Sequence, residues 1–210
     1  MKLHDMLTEL RQAEVFDLQM LEVLSGQNRN VLRVQLHRWI SDNKITALRR
    51  GLYTLSEGLA GSRQSARLAN MMVRPSYLTG LWALSFYGLI PEAVHEFTSA
   101  TTTYKQVYEN AFGRFSYRRL KADAFRGWNE IEYGDTRIRL ATPAKAVLDH
   151  LYWTPGDPIQ IMNVLRFQPE DVTDFSWESL STYAAAWGSP RLVRFAAKAP
   201  AEFCGDWEEI

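Results

Sequence analysis

The segment 26–56 constrains the chain more than any other. Ser25-Gly26-Gln27-Asn28 breaks one helical pattern, and a second begins at once. Asn28 or Asn30 can cap a helix running to about Asp42, because an amide oxygen there can accept the free N–H groups of the first turn. Leu32, Leu36, Trp39 and Ile40 form its apolar stripe. Arg29, Arg33 and His37 recur at i, i+4 and i+8, so they share a face, expected to lie opposite Leu32, Leu36 and Trp39. Asn43 suits the helix exit. Two short β-rich runs follow, 45–48 and 52–55, around Arg49-Arg50-Gly51, and Gly51 permits the positive φ of a tight hairpin. Upstream, Leu3, Met6, Leu7 and Leu10 mark a first helix, and Asp17 can cap a second holding Leu18, Leu21 and Leu24. Helix, helix, helix, hairpin is the order of a winged helix-turn-helix.

Charge distribution supports that reading. The chain of 210 residues balances 24 Lys and Arg against 24 Asp and Glu, so net charge alone names no partner. Segment 26–56 nevertheless holds Arg29, Arg33, Arg38, Lys44, Arg49 and Arg50 against Asp42 alone, whereas 169–210 is acidic. A basic head on a balanced chain suits a local anion-binding surface. Cys204 is the single cysteine, which excludes an intrachain disulfide and a cysteine-rich metal site. No stretch reaches the ~18 apolar residues of a membrane span, and the N-terminus lacks a signal peptide's apolar core. A cytoplasmic protein that makes no membrane contact is expected.

Beyond the hairpin the pattern changes. Segment 56–64 (SEGLAGSRQ) reads as a linker. A helix over 65–73 should end at Pro75, and Ser76 or Thr79 should start another through Leu81, Leu84 and Tyr87 to Gly88. Strands are expected over 96–102, 114–120, 129–133 and 136–140, the last two as a hairpin around Gly134-Asp135. Thr142-Pro143 opens a helix, and two more fall near 158–166 and 177–199. The fold class is therefore α+β: an N-terminal winged helix-turn-helix (1–56), a linker (57–64) and a mixed α/β domain (65–210).

The expected chemistry is duplex recognition. A helix with one buried stripe and an Arg/Asn/His face fits the major groove. Asn30 and Arg33 are placed for base edges, where Arg pairs with guanine and Asn with adenine for ~1–3 kcal/mol of discrimination each. Arg38 and Lys44 suit phosphates, and Arg49 and Arg50 tip the wing. Arg114, Arg118, Arg119 and Lys121 form a second basic cluster, with Arg126 beyond it. It reads equally as a further nucleic-acid contact or as a solvated strand edge guarded by charge, with Arg114 and Arg118 on one side and Arg119 and Lys121 on the other. Phe115 and Tyr117 there, and Trp39, Trp82 and Trp177 elsewhere, read as core. Asp149 reads as a buried partner for an arginine.

Enzyme readings fare poorly. A nucleotidyltransferase needs Gly-Ser followed by carboxylates two apart to hold metal ions; Gly61-Ser62 has no Asp-x-Asp after it, and Glu130 and Glu132 lie far downstream. A metal nuclease could be assembled from Glu130, Glu132, Asp135 and Lys145, but each reads more plainly as surface. No His pair has metal spacing and no phosphate-binding glycine loop occurs. No catalytic residue, metal or cofactor is expected.

At Ile45-Thr46-Ala47-Leu48-Arg49-Arg50-Gly51-Leu52-Tyr53-Thr54-Leu55 the chain resembles the wing of AbiE-type abortive-infection antitoxins. The resemblance continues through Pro75-Ser76-Tyr77-Leu78, Ala83-Leu84-Ser85, Tyr87-Gly88-Leu89-Ile90-Pro91-Glu92, Thr98-Ser99-Ala100-Thr101-Thr102 and Arg139-Leu140-Ala141-Thr142-Pro143-Ala144-Lys145-Ala146-Val147-Leu148-Asp149, reaching about Leu151. It implies a type IV antitoxin that represses its own operon through inverted repeats in promoter DNA. The implied functional partner is a nucleotidyltransferase-like toxin, opposed without a stable complex. The expected reader is a monomer or weak dimer, cooperative on DNA. The alternatives are an operon regulator of the same architecture without a toxin, and a nuclease-like enzyme with a DNA-targeting head.

Overall fold

The computed structural model describes residues 6–56 and 62–204. Leu3 of the expected first helix and 57–61 of the expected linker, with Gly61, lie outside the described residues. The architecture is mixed α+β: a small helical head with a three-stranded sheet, and a larger body built on a six-stranded sheet.

The head comprises α1 (Leu7–Ala13), β1 (Val15–Phe16), α2 (Leu18–Ser25), α3 (Arg29–Ser41), β2 (Ile45–Arg49) and β3 (Leu52–Leu55). Asp17 caps α2 by accepting the Met20 N–H at 2.8 Å. Asn28, not Asn30, caps α3, its Oδ1 accepting the Asn30 N–H at 2.9 Å. Asn43 leaves the helix with φ 54°, and Gly51 turns the hairpin at φ +76°. The two-residue β1 is not expected from the sequence, because two residues show no alternation. It pairs with β3 and sets the sheet order β1-β3-β2. Met6, Leu10, Phe16, Leu21, Leu32, Leu36, Ile45 and Leu55 fill this core, with Trp39 half-buried against it.

The body runs α4 (Ser62–Met72), β4 (Ser76–Leu78), α5 (Gly80–Phe86), β5 (Phe97–Thr101), β6 (Gln106–Asn110), β7 (Gly113–Arg119), β8 (Trp128–Tyr133), β9 (Thr136–Ala141), α6 (Pro143–Trp153), α7 (Pro158–Val164), α8 (Trp177–Trp187) and α9 (Pro190–Phe203). The sheet order is β6-β7-β5-β4-β9-β8, with β4–β9 and β5–β7 parallel. Helix α4 packs on β4, β5 and β9, α5 on β5 and α6, and α8 and α9 on α6 and each other.

Several expectations need correction. Helix α4 starts at Ser62, inside the expected linker. Ser76 begins a strand, so Thr79 alone precedes the next helix. The expected helix over 177–199 is two helices, because Gly188 closes α8 in the left-handed region (φ 69°) and Pro190 cannot continue it.

Head and body meet along a hydrogen-bonded seam. Leu48 of β2 is 2% exposed and belongs to the body's core, with Val15 and Leu52 packed beside it. Arg49 Nε donates to the Met72 carbonyl at 2.7 Å, and Asn110 Nδ2 to the Leu48 carbonyl at 3.0 Å. On α4, Arg67 pairs with the Glu14 carboxylate and its Nη1 donates to Thr136 Oγ1 at 3.0 Å.

Among the described residues the body buries one ion pair. Asp149 meets Lys145, one turn earlier on α6, at 0% and 1% exposure. The partner is a lysine rather than the expected arginine, and Lys145 is core rather than surface. Tyr77 Oη and Thr79 Oγ1 donate to Asp149 Oδ2 at 3.0 and 2.7 Å, and Lys145 Nζ sits 3.9 Å from the Trp187 ring centre. Burial pushes the Asp149 carboxyl up and the Lys145 ammonium down. Removing one member strands the other charge away from water. Asp149→Ala should therefore lose ~3–5 kcal/mol of unfolding free energy in urea; a loss under ~1 kcal/mol would contradict that account.

Candidate nucleic-acid interface

Helix α3 is built as a two-sided element. At about 100° per residue, Leu32 and Leu36 point into the head, and the direction opposite them belongs to Asn30, Val34 and Ser41. Asn30, Val31, Arg33, Val34, His37, Arg38 and Ser41 are exposed, with Val31 at 49% and Val34 at 55%. The same geometry corrects the placement of the basic row. Arg29 and Arg33 flank Ile40 and border the buried stripe instead of standing opposite it, because steps of four residues advance only about 40°.

That border position places the row against the hairpin. A cleft of about 710 Å³ has Arg29, Arg33 and His37 on its α3 wall and Arg50, Gly51 and Tyr53 on its hairpin wall, and Asp17, Leu18 and Gln19 also line it. Four of the residues expected to touch DNA therefore line one concavity. Arg29 is tethered to Glu22 at 3.5 Å. Arg33 and Arg50 are exposed and form no ion pair among the described residues, so their guanidiniums are open to an anion. Asn30 and Arg38 lie outside the cleft on the exposed face of α3. Lys44 sits past the helix end, 3.1 Å from Asp42.

Arg49 is elsewhere. The sequence puts Arg49 and Arg50 together at the hairpin tip, but Arg49 is the last residue of β2 and turns into the seam. Its Nη1 also donates to the Arg50 carbonyl at 3.3 Å. It is a fastener of the fold. Residues that sequence reasoning passes over are Val31, Val34, Gln19 and Tyr53. Two valines among polar neighbours on one helix face are a readable signal.

The second basic cluster divides differently from expectation. Strand β7 lies between β5 and β6 and is not an edge; the expected edge leaves β6 out. Phe115, Ser116 and Tyr117 are all buried, so both faces of its middle are covered. Arg114 is neutralised by Glu96 at 3.1 Å and Glu109 at 3.6 Å. Arg118 lies over the Trp153 ring, 5.7 Å from its centre. Arg119 ends the strand and Lys121 follows it, both exposed, so these two do not form one strand face. The cluster does not gather into a single open patch. Of the carboxylates weighed for catalysis, Glu130 and Glu132 project from β8 and Asp135 from its turn, all exposed, while Lys145 is buried. Among the described residues no three His, Cys, Asp or Glu side chains cluster as a metal site would require, and no helix is long and apolar enough to cross a membrane.

No family model matches the chain, and no curated protein matches it.

Burial and then the charge of Arg118 push His150 on α6 down to about 4. An unfolded histidine titrates near ~6.5, so between these values the unfolded chain binds the extra proton. Stability from this residue is complete above the upper value and is lost as pH falls towards the lower. His150→Gln should flatten unfolding free energy against pH in that window; an unchanged profile would show that His150 contributes nothing to it.

Proposed function

We propose that the chain is a duplex-DNA-binding transcriptional regulator, with the head as a winged helix-turn-helix. In this reading α2 and α3 are the helix-turn-helix pair, α3 is the reading helix and the β2–β3 hairpin is the wing. The observation that carries it is the joint cleft: Arg29, Arg33 and His37 of α3 line the same concavity as Arg50 of the hairpin. A reading helix and a wing must present cations to the same duplex, and two cationic elements facing apart could not.

Each residue type has a role in that geometry. Helix α3 enters the major groove with Asn30 and Arg33, in its first half, at base edges. The exposed methyls of Val31 and Val34 supply the apolar surface that a thymine methyl takes. Arg38 and Lys44 reach phosphates, which position the protein without reading sequence. Arg50 reaches the backbone or minor groove beside the wing. His37 adds a donor on the cleft wall.

The wider proposal is that this regulator is a cytoplasmic, non-enzymatic type IV antitoxin. Its support is the ordered motif series up to about Leu151, which resembles the AbiE-type antitoxins. A nucleotidyltransferase-like toxin encoded beside it is the expected functional partner. Co-expression should relieve that toxin's growth arrest, and relief should require the body. Arrest that persists with the full chain present would overturn the antitoxin role and leave the DNA-binding reading standing.

Three variants test the head by titration on DNA from upstream of the gene. Arg33→Ala should lose ~1–3 kcal/mol and relax sequence preference. Arg50→Ala should weaken all duplexes alike and flatten the salt dependence by about one unit of slope. Arg49→Ala should lower the melting temperature and leave the salt slope unchanged. If Arg49→Ala rather than Arg50→Ala flattens the slope, the division of labour at the hairpin tip is wrong.

A further inference from the structure

A second concave site lies on the body. A hollow of about 320 Å³ is walled by Arg67, Asn70 and Arg74 on the α4 side and by Glu130, Arg137 and Arg139 on the β8–β9 side. Four guanidiniums thus surround one carboxylate. Glu130 stands opposite Arg139 in the strand register and offsets part of that charge.

The four arginines are not equivalent. Arg67 and Arg139 are held in place. Arg67 is fastened to Glu14 and to Thr136 Oγ1, and Arg139 Nη2 donates to the Asn70 carbonyl at 2.6 Å while its own backbone N–H donates to Asn70 Oδ1. Burial first, and then the neighbouring Arg74, push Arg139 below its usual range. Glu14, Glu130 and Glu132 stand beside three of the four arginines, which leaves one cation in excess. Arg74 is exposed and forms no ion pair among the described residues. Arg137 meets Glu132 at 3.6 Å, with both side chains mostly in water at 67% and 80% exposure, so water screens that pair. Fixed guanidinium forks beside exposed ones suit a phosphate, whose oxygens accept such N–H groups in pairs.

The hollow and the hairpin share the end of α4. Arg49 of the hairpin bonds the Met72 carbonyl, and Met71 and Arg74, on either side of it in sequence, line the hollow. Arg50 is the next residue of the hairpin.

We propose that the α4–β9 arginine hollow binds a backbone phosphate of the duplex that α3 reads, extending the interface from the wing onto the body. This rests on the DNA-binding reading above and adds a surface to it. The ligand class is the sugar-phosphate backbone, recognised without regard to sequence. The body therefore contributes directly to affinity.

The test uses the full chain and a mixed-sequence duplex, because recognition of the backbone needs no operator. Arg74→Ala combined with Arg137→Ala removes the two exposed arginines and spares Arg67 and Arg139, which also hold the fold. The plot of log affinity against log salt should become shallower by about one unit, the share of the one phosphate that the hollow holds. The double lysine variant should keep most of the slope, because it keeps the charge. An alanine variant with the wild-type slope, in an assay where Arg50→Ala still lowers it, overturns the hollow and leaves the head's reading intact. A wild-type chain that binds no duplex overturns the reading and this proposal with it. Orthophosphate supplies the last arm, at fixed ionic strength. If it raises the melting temperature of the wild type but not of the double alanine variant, while the two DNA slopes agree, the hollow belongs to a free phosphate and the backbone assignment falls.

Discussion

The burial of Leu48 in the body's core is the constraint on which the rest depends. It is a residue of the head's hairpin that the head does not bury. Withdrawing such a side chain from water stabilises the fold by ~1.5–3 kcal/mol. The bonds on either side of it, from Asn110 to the Leu48 carbonyl and from Arg49 to the Met72 carbonyl, remove the hairpin's freedom to pivot. With β2 pinned, Arg49 is committed to the seam, and Arg50, past the strand end, is left to face α3. The proposed interface is thus set by packing between head and body as much as by the head's own three helices.

The body is built to hold that anchor still. Met72 ends α4, and α4 is fixed by Tyr117 Oη, which donates to the Ala69 carbonyl at 2.7 Å. Tyr77 on β4 ties the sheet to the buried Asp149 on α6. Two charges out of water are costly unless every partner is present, so Lys145, Tyr77, Thr79 and Trp187 must all be placed before the pair is satisfied. Such a cluster favours one arrangement of sheet and helices. The acids that surround Arg114 have the opposite consequence: that arginine is already satisfied by its own fold and has little to offer a ligand.

Much of the head is legible because its signals are local. Asp17 and Asn28 cap the helices they precede, Gly51 turns the hairpin, and Leu32 and Leu36 are buried where a period of 3.6 puts them. What is not legible depends on partners distant in sequence. Nothing adjacent to Arg49 distinguishes it from Arg50; Met72 does, and it is 23 positions away. Lys145 reads as surface because its partners Tyr77 and Trp187 come from β4 and α8. β6, with its half-buried and exposed alternation, is hidden by its polar composition, and without it β7 looks like an edge. The tilt of the basic row towards the buried stripe is calculable from helical geometry. The arginine hollow is not, since its walls join α4 to a hairpin more than 50 residues further along the chain.

Helix α3 lying in a duplex groove is the central claim, and cross-linking from its outermost side chain tests it most directly. A photoreactive residue at Val34, which points away from Leu32 and Leu36, should attach to bases of DNA from upstream of the gene, at positions that repeat in both halves of an inverted repeat. Attachment from that position only to the sugar-phosphate backbone, or none at all while the chain remains bound to the duplex, would show that α3 does not enter the groove.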